Sequence, residues 1–239
     1  MPTARLNVLV ACEFSAIVRE AFNRLGHHAT SCDLRATEIP GNHHEGDALE
    51  MLAADCWDLV IAHPPCTYLC NSGVRWLYGK KGGSKVRDEK RWADMRAGAE
   101  FFRAFADGYA GKLCLENPVM HGHAQAAVGP MPDFVRQTVQ PYQFGHLETK
   151  ATVLHLRGLQ PLAHTNDVEA AMRKLPKSRT NLVHLASPGP ERWAIRSRTF
   201  PGIAEAMAHQ WGGRVTRSSV SFAQSTTTAL SGLTAQPGL

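Results

Sequence analysis

The sequence predicts an α/β protein built on a doubly wound, mostly parallel sheet. Three observations lead to this fold class. Short apolar runs recur along the chain, helical periods lie between them, and acidic or reactive residues stand directly after several of the runs. Uninterrupted apolar runs are typical of strands buried on both faces of a parallel sheet, whose carboxyl ends share one edge where ligands bind.

The first strand, helix and second strand are predicted within residues 6–33. Residues 6–12 form an apolar run, and residues 15–25 show a helical period, with Ser15 as the N-cap and Gly26 after the last turn. Residues 28–33 are predicted as a second strand that ends in Asp33. An acid in this position of a doubly wound sheet can hold a ribose hydroxyl group, although a solvated loop aspartate is an equal alternative.

The next strand, over residues 58–62, is followed by a candidate nucleophile. Its apolar run stops at Pro64 and Pro65, and Cys66 comes next on the loop. Two consecutive prolines restrict the backbone before the thiol, which suits a nucleophile held in one place. The alternative is an unreactive cysteine that belongs to the core.

The segment over residues 75–91 is basic and rich in glycine, with aromatic residues interleaved. Because it follows the Cys66 loop directly, we interpret it as a mobile flap that contacts phosphates. A solvated charge run is the alternative interpretation. The candidate nucleic-acid contacts in this segment are Arg75, Lys80, Lys81, Lys85 and Arg87.

The later elements place an acid at the same edge of the sheet. Residues 92–109 are helical in period, and residues 112–115 form a strand that ends at Glu116 and Asn117. Since strand ends converge, we expect Glu116 within reach of whatever Cys66 attacks.

Further elements complete the predicted domain. Strands are expected near residues 134–140 and 153–156, and a last helix over residues 203–211. Residues 157–190 show little periodicity and are predicted as an irregular excursion of limited size. Residues 217–239 have almost nothing to bury and are predicted as a disordered tail.

Composition limits the class of protein. The 239 residues carry a formal charge of +5 and a pI near 9.0, which favours a polyanionic partner such as nucleic acid. The six cysteines lack the spacing of a disulfide scaffold and are expected as reduced thiols. Zinc-site spacing is also missing, so no metal is expected. No apolar run approaches the roughly 20 residues of a membrane span, which predicts a soluble, cytoplasmic protein.

Four motifs lie along residues 5–213, each at a strand end where the residues alone already predict a loop. They are Pro65-Cys66 with Ser72-Gly73, Glu116-Asn117, the turn from Phe144 to Lys150 and Thr152, and Arg198-Thr199-Phe200-Pro201. Their order and spacing resemble the cytosine-5 DNA methyltransferases, in a compact phage-like form. The resemblance implies a single Rossmann-like methyltransferase domain, a DNA substrate, a bacterial or phage-infected host cell, and residues 157–190 as a small recognition excursion.

The resemblance also implies roles for individual residues. A thiolate must add to carbon 6 of cytosine before carbon 5 can accept a methyl group, and this role falls to Cys66. Glu116 would share or donate a proton at nitrogen 3, and Asn117 would hold the loop or the base edge. In the turn from Phe144 to Lys150 and Thr152, the family has two arginines, and Lys150 is the one cation that this sequence keeps there.

S-adenosylmethionine is the cofactor that the resemblance implies. By analogy with the family, Asp33 would hold its ribose and Asp47 its adenine. The residues implied at this site are Cys12, Glu13, Phe14, Asp33, Leu34, Asp47, Ala48, His63 and Pro64.

The sequence departs from the family pattern in ways that keep two alternatives open. The turn over residues 11–16 contains no glycine, which favours a DNA-binding protein of this fold that has lost catalysis. The other alternative is an amino-group methyltransferase acting on N4 of cytosine or N6 of adenine, because those enzymes also place two prolines after this strand. They use Asp or Asn before the prolines and an aromatic residue after them, whereas this chain has His63 and Cys66.

Overall fold

A computed structural model describes residues 4–81 and 84–215 of the chain, and the predicted tail over residues 217–239 lies outside them. The strands are β1 (Asn7–Ala11), β2 (His28–Asp33), β3 (His43–Glu45), β4 (Leu59–Ala62), β5 (Tyr78–Lys81), β6 (Ser84–Arg87), β7 (Lys112–Pro118), β8 (Val135–Val139) and β9 (Thr152–Arg157). The α-helices are α1 (Ile17–Arg24), α2 (Ala48–Ala54), α3 (Glu89–Gly108), α4 (Gly122–Val128), α5 (Glu169–Met172), α6 (Lys177–Thr180), α7 (Leu182–Leu185), α8 (Arg192–Ser197) and α9 (Pro201–Met207). Within the two described ranges, no helix has the length and apolar character needed to cross a membrane.

Seven of these strands form one sheet in the order β3-β2-β1-β4-β7-β9-β8, and β5 pairs with β6 in a separate antiparallel hairpin. The first five strands in that order are parallel, whereas β9 runs antiparallel to both β7 and β8. The strand order reverses between β1 and β4, the position at which doubly wound sheets have a ligand-binding crevice at the carboxyl ends of their strands, and we call this position the crevice beside β1. The predicted fold class, a doubly wound and mostly parallel sheet, is confirmed.

Helices cover both faces of the sheet. In β1, Val8 and Val10 pack in a cluster with residues of α1 and α9, whereas Leu9 and Ala11 pack in a cluster with residues of α2 and α3. All four side chains are fully buried. Because successive side chains on a strand point to opposite faces, a strand covered on both sides requires an uninterrupted apolar run.

The start of α1 differs from the sequence prediction. The N-cap is Ala16, in a left-handed conformation, rather than Ser15. The buried carboxylate of Glu13 accepts hydrogen bonds from the backbone N–H groups of Val18 and Arg19, at 2.7 and 3.1 Å. A carboxylate binds the free N–H groups of a first helical turn more strongly than a hydroxyl group does, so Glu13 replaces the predicted cap.

Two elements before α3 were not predicted. The strand β3 consists of polar residues and pairs with β2 through its backbone, so no apolar pattern indicates it. The basic segment predicted as a flap forms a 3-10 helix (Asn71–Leu77) followed by the β5-β6 hairpin. This hairpin joins the Cys66 loop to α3, and its alternating glycine and lysine content hides the strand pattern.

Two helix boundaries also differ from the prediction. The helix α3 begins at Glu89, because the side chain of Asp88 accepts a hydrogen bond from the Arg91 N–H at 3.0 Å and caps the helix before the predicted start. The last helix starts at Pro201, and it continues after Met207 as a π-helical turn (Ala208–Gly212).

Arg19 organises the loop that follows β2. Its side chain is fully buried, and the guanidinium group donates to Ser31 Oγ at 3.1 Å, to the Ile39 carbonyl oxygen at 2.6 Å and to Glu20 at 2.9 Å. A guanidinium group can be buried when it has such a set of acceptors. The loop leads from Asp33 toward β3, so its position affects the crevice.

Arg19→Met is expected to lower the free energy of unfolding by about 2–4 kcal/mol, because it leaves buried acceptors without a donor. Urea denaturation measures this loss. Arg24→Met is the matched control, since Arg24 is exposed on the same helix and its pair with Glu205 at 3.7 Å contributes at most about 1 kcal/mol. Equal losses in the two variants would contradict the role assigned to Arg19.

Candidate active site at the carboxyl edge of the sheet

The Cys66 loop, defined as residues 63–73, begins where β4 ends. The backbone N–H groups of Leu69 and Cys70 both donate to the carbonyl oxygen of Cys66, at 3.0 and 3.1 Å. These bonds close one helical turn, in which residues four apart lie on the same side. The side chains of Cys66 and Cys70 are therefore neighbours.

Backbone hydrogen bonds fix the Cys66 loop against the end of β7. The Asn71 N–H donates to the Val119 carbonyl oxygen, and the His121 N–H donates to the Leu69 carbonyl oxygen, each at 3.0 Å. Val119 and His121 follow β7 directly, so these contacts hold the loop and the end of the strand side by side.

Glu116 lies at this end of β7 with its side chain 15% exposed, and His63 Nδ1 is 3.3 Å from one of its carboxylate oxygens. Burial raises the pKa of Glu116, but the hydrogen bond and charge of His63, together with the charge of Lys150 and the hydroxyl group of Thr152, bring the pKa below its ordinary value. The charge of Glu116 also acts on the Cys66 thiol, so the structure brings the predicted nucleophile and the predicted acid together.

Lys150 is held at the site by the segment before α9. Its Nζ donates to the Arg198 carbonyl oxygen at 3.1 Å and lies 6.0 Å from the centre of the Phe200 ring. The ammonium charge lowers the pKa of Glu116 and opposes the rise in the pKa of Cys66. Lys150 is therefore placed to stabilise negative charge on either group.

Asn117 has a fully buried side chain next to Glu116. Neither its Oδ1 nor its Nδ2 atom has a hydrogen-bond partner within residues 4–81 and 84–215. Backbone hydrogen bonds of Leu69 and Asn71, rather than this side chain, hold the Cys66 loop. A buried amide without partners is a candidate for contact with a bound ligand or an ordered water.

Cys70 is a candidate that the sequence analysis missed. The hydrogen bond between the two thiols lowers the pKa of Cys70 to about 5, although burial opposes this shift. The Ser72 hydroxyl group, 3.1 Å from Cys70 Sγ, contributes, as do the Gly73 N–H and the charge of Arg196. The same hydrogen bond, followed by burial, raises the pKa of Cys66. The two thiols therefore titrate as a pair, in which the hydrogen bond favours the thiolate form of Cys70. The sequence signal that could have identified Cys70 is its position four residues after Cys66, which follows the two prolines.

Three of the residues predicted at the cofactor site lie near one another beyond the end of β1. Cys12 follows β1, and its pKa is raised by burial and by the charges of Asp33 and Asp47, which both lie near it. Burial raises the pKa of Asp33, although the Arg35 N–H donates to it at 3.1 Å. Asp47 caps α2 by accepting from the Leu49 N–H at 2.7 Å.

The turn between β1 and α1 has the backbone conformation that glycine would favour. Cys12 has φ 58° and Ala16 has φ 61°, both in the left-handed region. Non-glycine residues rarely adopt this conformation, which costs roughly 1–3 kcal/mol and is concentrated at ligand sites. The turn therefore keeps the sharp geometry of a glycine-rich turn without its glycines.

An aromatic group from a distant part of the chain packs against Phe14, which follows β1. The rings of Phe14 and Trp193 have centroids 5.1 Å apart, and the Arg35 guanidinium group lies 3.7 Å from the Trp193 ring centre. Leu34, next to Arg35 in the turn after β2, is 77% exposed. Sequence analysis missed Trp193 and Arg35, because α8 and the turn after β2 meet only in the folded chain.

The other residues predicted at the cofactor site have varied surroundings. The carboxylate of Glu13 is directed at the first turn of α1. Ala48 begins α2 and is buried, as is Pro64. The side chain of His63 contacts Glu116. Contact of these residues with a cofactor stays a prediction.

The cations predicted to bind nucleic acid lie on the 3-10 helix and the β5-β6 hairpin. Arg75 is exposed and lies 4.6 Å from the ring centre of Trp76. Lys85 and Arg87 are exposed on β6. Lys80 and Lys81 belong to β5, and only their backbone pairing with β6 is described. Their contact with nucleic acid stays a prediction.

His63→Gln is expected to lower the free energy of unfolding by about 1–3 kcal/mol near pH 7, because a glutamine cannot supply the charge that stabilises the Glu116 carboxylate. Since the folded-state pKa of Glu116 is lowered, its contribution to stability is present above the ordinary carboxyl pKa of about 4.3 and is lost as the pH falls through the lowered value. Urea denaturation should therefore show that the difference in the free energy of unfolding between His63→Gln and wild type becomes smaller from pH 7 to pH 3.5. His44→Gln, at an exposed position of β3, is the control, and a pH-independent deficit in His63→Gln would refute the pairing.

No family model matches this sequence, and a search of curated proteins also finds no match. Among solved structures, a candidate DNA modification methyltransferase encoded within a prophage of E. coli covers 63% of this chain and 46% of its own, with 15% identity and a TM-score of 0.40. The match to the methyltransferase EhMeth of Entamoeba histolytica covers 69% of this chain and 58% of that protein, with 12% identity and a TM-score of 0.43. The match to the Dnmt2 methyltransferase of S. pombe covers 72% of this chain and 54% of that protein, with 13% identity and a TM-score of 0.38. The chain is similar to these structures over about half of their length.

Proposed function

We propose that this chain transfers a methyl group from S-adenosylmethionine to carbon 5 of cytosine in DNA, through a covalent adduct with Cys66. The observation that carries the proposal is the convergence of Cys66, Glu116 and Lys150 at one edge of the sheet. A nucleophile, an acid and a cation at one point are the groups that addition to a pyrimidine ring requires. The crevice beside β1 lies next to them, because the His63 N–H donates to the Ala11 carbonyl oxygen at 3.0 Å.

The paired thiols supply the nucleophile. Cys66 gives its proton to the Cys70 thiolate, and the Cys66 sulfur then forms a bond with carbon 6 of the ring. Negative charge that develops on the ring is stabilised by Lys150. After methyl transfer to carbon 5, water takes the carbon 5 proton and the bond between sulfur and carbon 6 breaks, which restores Cys66.

Glu116 and His63 act together at nitrogen 3. Glu116 is ionised in the free protein, because His63 lowers its pKa. The proton that nitrogen 3 receives would pass from the ring nitrogen of His63 through the carboxyl group of Glu116, and it would return by the same path when the Cys66 sulfur leaves. This assigns His63 to the acid and not to the cofactor.

The crevice fits S-adenosylmethionine by its chemistry. The left-handed turn at Cys12 and Ala16 allows a ligand close to the backbone. Asp33 would bind the ribose hydroxyl groups, and Asp47 would bind the edge of the adenine. The ring of Phe14 would pack against the aromatic face of the adenine. When bound, this cofactor supplies the methyl group as an electrophile.

DNA would bind along the exposed cations of the β5-β6 hairpin and the excursion over residues 157–190. The excursion contains α5, α6 and α7, and it is attached beside the site because the Thr149 N–H donates to the Thr180 carbonyl oxygen at 2.8 Å. The buried carboxylate of Glu148 accepts from the Val183 N–H at 3.2 Å. A cytosine in duplex DNA must leave the stack to reach Cys66, and the Arg75 and Trp76 pair would support the opened strand.

Duplex DNA containing 5-fluoro-2′-deoxycytidine tests the proposed function. With S-adenosylmethionine present, we expect a protein–DNA complex that survives denaturing electrophoresis, because fluorine at carbon 5 blocks the release of Cys66. Nucleoside mass spectrometry of ordinary DNA treated with the protein should show 5-methyldeoxycytidine. N4-methyldeoxycytidine or N6-methyldeoxyadenosine without a covalent complex would support the amino-group alternative. DNA binding without cofactor binding and without methyl transfer would support the non-catalytic alternative.

A further inference from the structure

We propose that Cys66 and Cys70 form a reversible intramolecular disulfide when the protein meets a peroxide. The two residues share one helical turn, closed by the hydrogen bond from the Cys70 N–H to the Cys66 carbonyl oxygen at 3.1 Å. Residues four apart on such a turn have Cβ atoms roughly 5–6 Å apart, and a disulfide requires Cβ atoms roughly 3.5–4.5 Å apart, so the two Cβ atoms must approach each other by about 1–2 Å. Each thiol lies close enough to shift the pKa of the other, and an adjustment of the Cys66 loop brings the two sulfurs into bonding distance.

The surroundings of Cys70 favour oxidation at this sulfur. Cys70 is partly exposed, its Sγ lies 3.1 Å from the Ser72 hydroxyl group, and the charge of Arg196 stabilises its thiolate form. A partly accessible thiolate is the form of cysteine that peroxides attack. Cys66 is also partly exposed and lies within reach as the resolving thiol.

The chemistry requires hydrogen peroxide as the oxidant and releases water. The Cys70 thiolate takes one oxygen atom from hydrogen peroxide and becomes a sulfenic acid, while hydroxide leaves. The Cys66 sulfur then attacks the Cys70 sulfur, the bond between sulfur and oxygen breaks, and the Cys66 proton joins the departing hydroxide. In the net reaction, two thiols and one hydrogen peroxide give one disulfide and two waters.

The remaining cysteines offer no equal site. Cys32 and Cys114 are fully buried, and burial raises the pKa of both thiols, to about 11 for Cys32. Burial and the neighbouring acids also raise the pKa of Cys12, which lies beside Cys32. Cys56 is exposed, but it lies on the segment between α2 and β4, away from the turn that pairs the other two thiols. We therefore expect oxidation to select the Cys66–Cys70 pair.

The disulfide would switch off the reaction assigned to Cys66, because the bridged sulfur cannot add to carbon 6. This consequence rests on the proposed function, whereas formation of the bond does not. A thiol reductant such as dithiothreitol would restore both thiols and with them any activity.

Mass spectrometry of the full chain treated with hydrogen peroxide tests the proposal without any activity assay. We expect the loss of two hydrogen atoms from the intact protein, reversed by dithiothreitol. Trypsin leaves Cys56, Cys66 and Cys70 on one peptide, because no lysine or arginine lies between Arg35 and Arg75. Chymotrypsin cleaves after Tyr68 and separates the two thiols of the turn, so a bridge between the resulting peptides identifies the pair.

Two variants complete the experiment. In Cys70→Ser, we expect no loss of two hydrogens, and peroxide should instead add oxygen atoms to Cys66 that dithiothreitol fails to remove fully. Cys56→Ser is the control and should form the bridge as wild type does. A bridge between other cysteines, or no bridge in wild type at peroxide levels that oxidise Cys70, would overturn the proposal. A bridge in wild type without any methyl transfer would leave the disulfide established and refute only the proposed function.

Discussion

Cys66→Ser is expected to abolish methyl transfer, with a loss of roughly a thousandfold or more, while the dissociation constant for S-adenosylmethionine changes by less than about threefold. A serine hydroxyl group is far less acidic than a thiol, so the Cys70 thiolate cannot take its proton and no covalent bond forms with the ring. The crevice residues Cys12, Asp33 and Asp47 remain in place. Single-turnover transfer of a labelled methyl group measures the first effect, and titration calorimetry measures the second.

Cys56→Ser provides the matched control for this result. The exchange of sulfur for oxygen is the same, but Cys56 is exposed and lies outside the site. Methyl transfer by Cys56→Ser should remain within about twofold of wild type. If Cys66→Ser kept a comparable rate, the covalent route would be wrong, and the amino-group route would become the better description.

Glu116→Ala is expected to lower the rate of methyl transfer by roughly a hundredfold or more, because it removes the group that delivers a proton to nitrogen 3. The same change has the opposite effect on the thiol. Since the charge of Glu116 raises the pKa of Cys66, its removal should make Cys66 ionise more readily and react at least as fast with iodoacetamide. A slower transfer with an undiminished alkylation rate would separate the role of the acid from any damage to the loop.

Glu100→Ala is the control for this prediction. Glu100 is an exposed glutamate on α3, so its loss should change neither rate by more than about twofold. If Glu116→Ala slowed alkylation of Cys66 and methyl transfer equally, Glu116 would serve to hold the loop and not to transfer a proton.

The sheet was predictable because its strands are buried on both faces. Leu59, Val60, Ile61 and Ala62 are all fully buried, and such a run is visible in the sequence without knowledge of its neighbours. The strand β3 was not predictable, because its polar residues are held by backbone pairing with β2 at the edge of the sheet. Burial on two faces leaves a pattern in the sequence, and pairing at an edge leaves none.

The start of α1 shows a second limit of sequence patterns. Ser15 has the chemistry of an N-cap, but Glu13 accepts hydrogen bonds from the N–H groups of Val18 and Arg19 in its place. This choice depends on two residues in left-handed conformations, Cys12 and Ala16, which no spacing rule indicates. Local propensity identifies a helix, while the tertiary position of a buried carboxylate sets where it begins.

In the candidate site, too, some features were predictable from local sequence patterns and others depend on the tertiary structure. Cys66 and Glu116 follow apolar runs, so the sequence alone located both at strand ends, and the parallel sheet makes those ends meet. The contacts that set their protonation come from elsewhere in the chain: His63 on Glu116, Cys70 on Cys66, and Lys150 on both.

The sequence by itself determined the fold class and the strand ends that carry the chemical groups, because apolar periodicity and chain order are local properties. Only the tertiary structure decided that Trp193 lies against Phe14, that Asn117 is buried without partners within residues 4–81 and 84–215, and that Glu116 is held ionised. The physical reason is that pKa values and side-chain contacts depend on distance in space and on burial, which the order of residues does not specify.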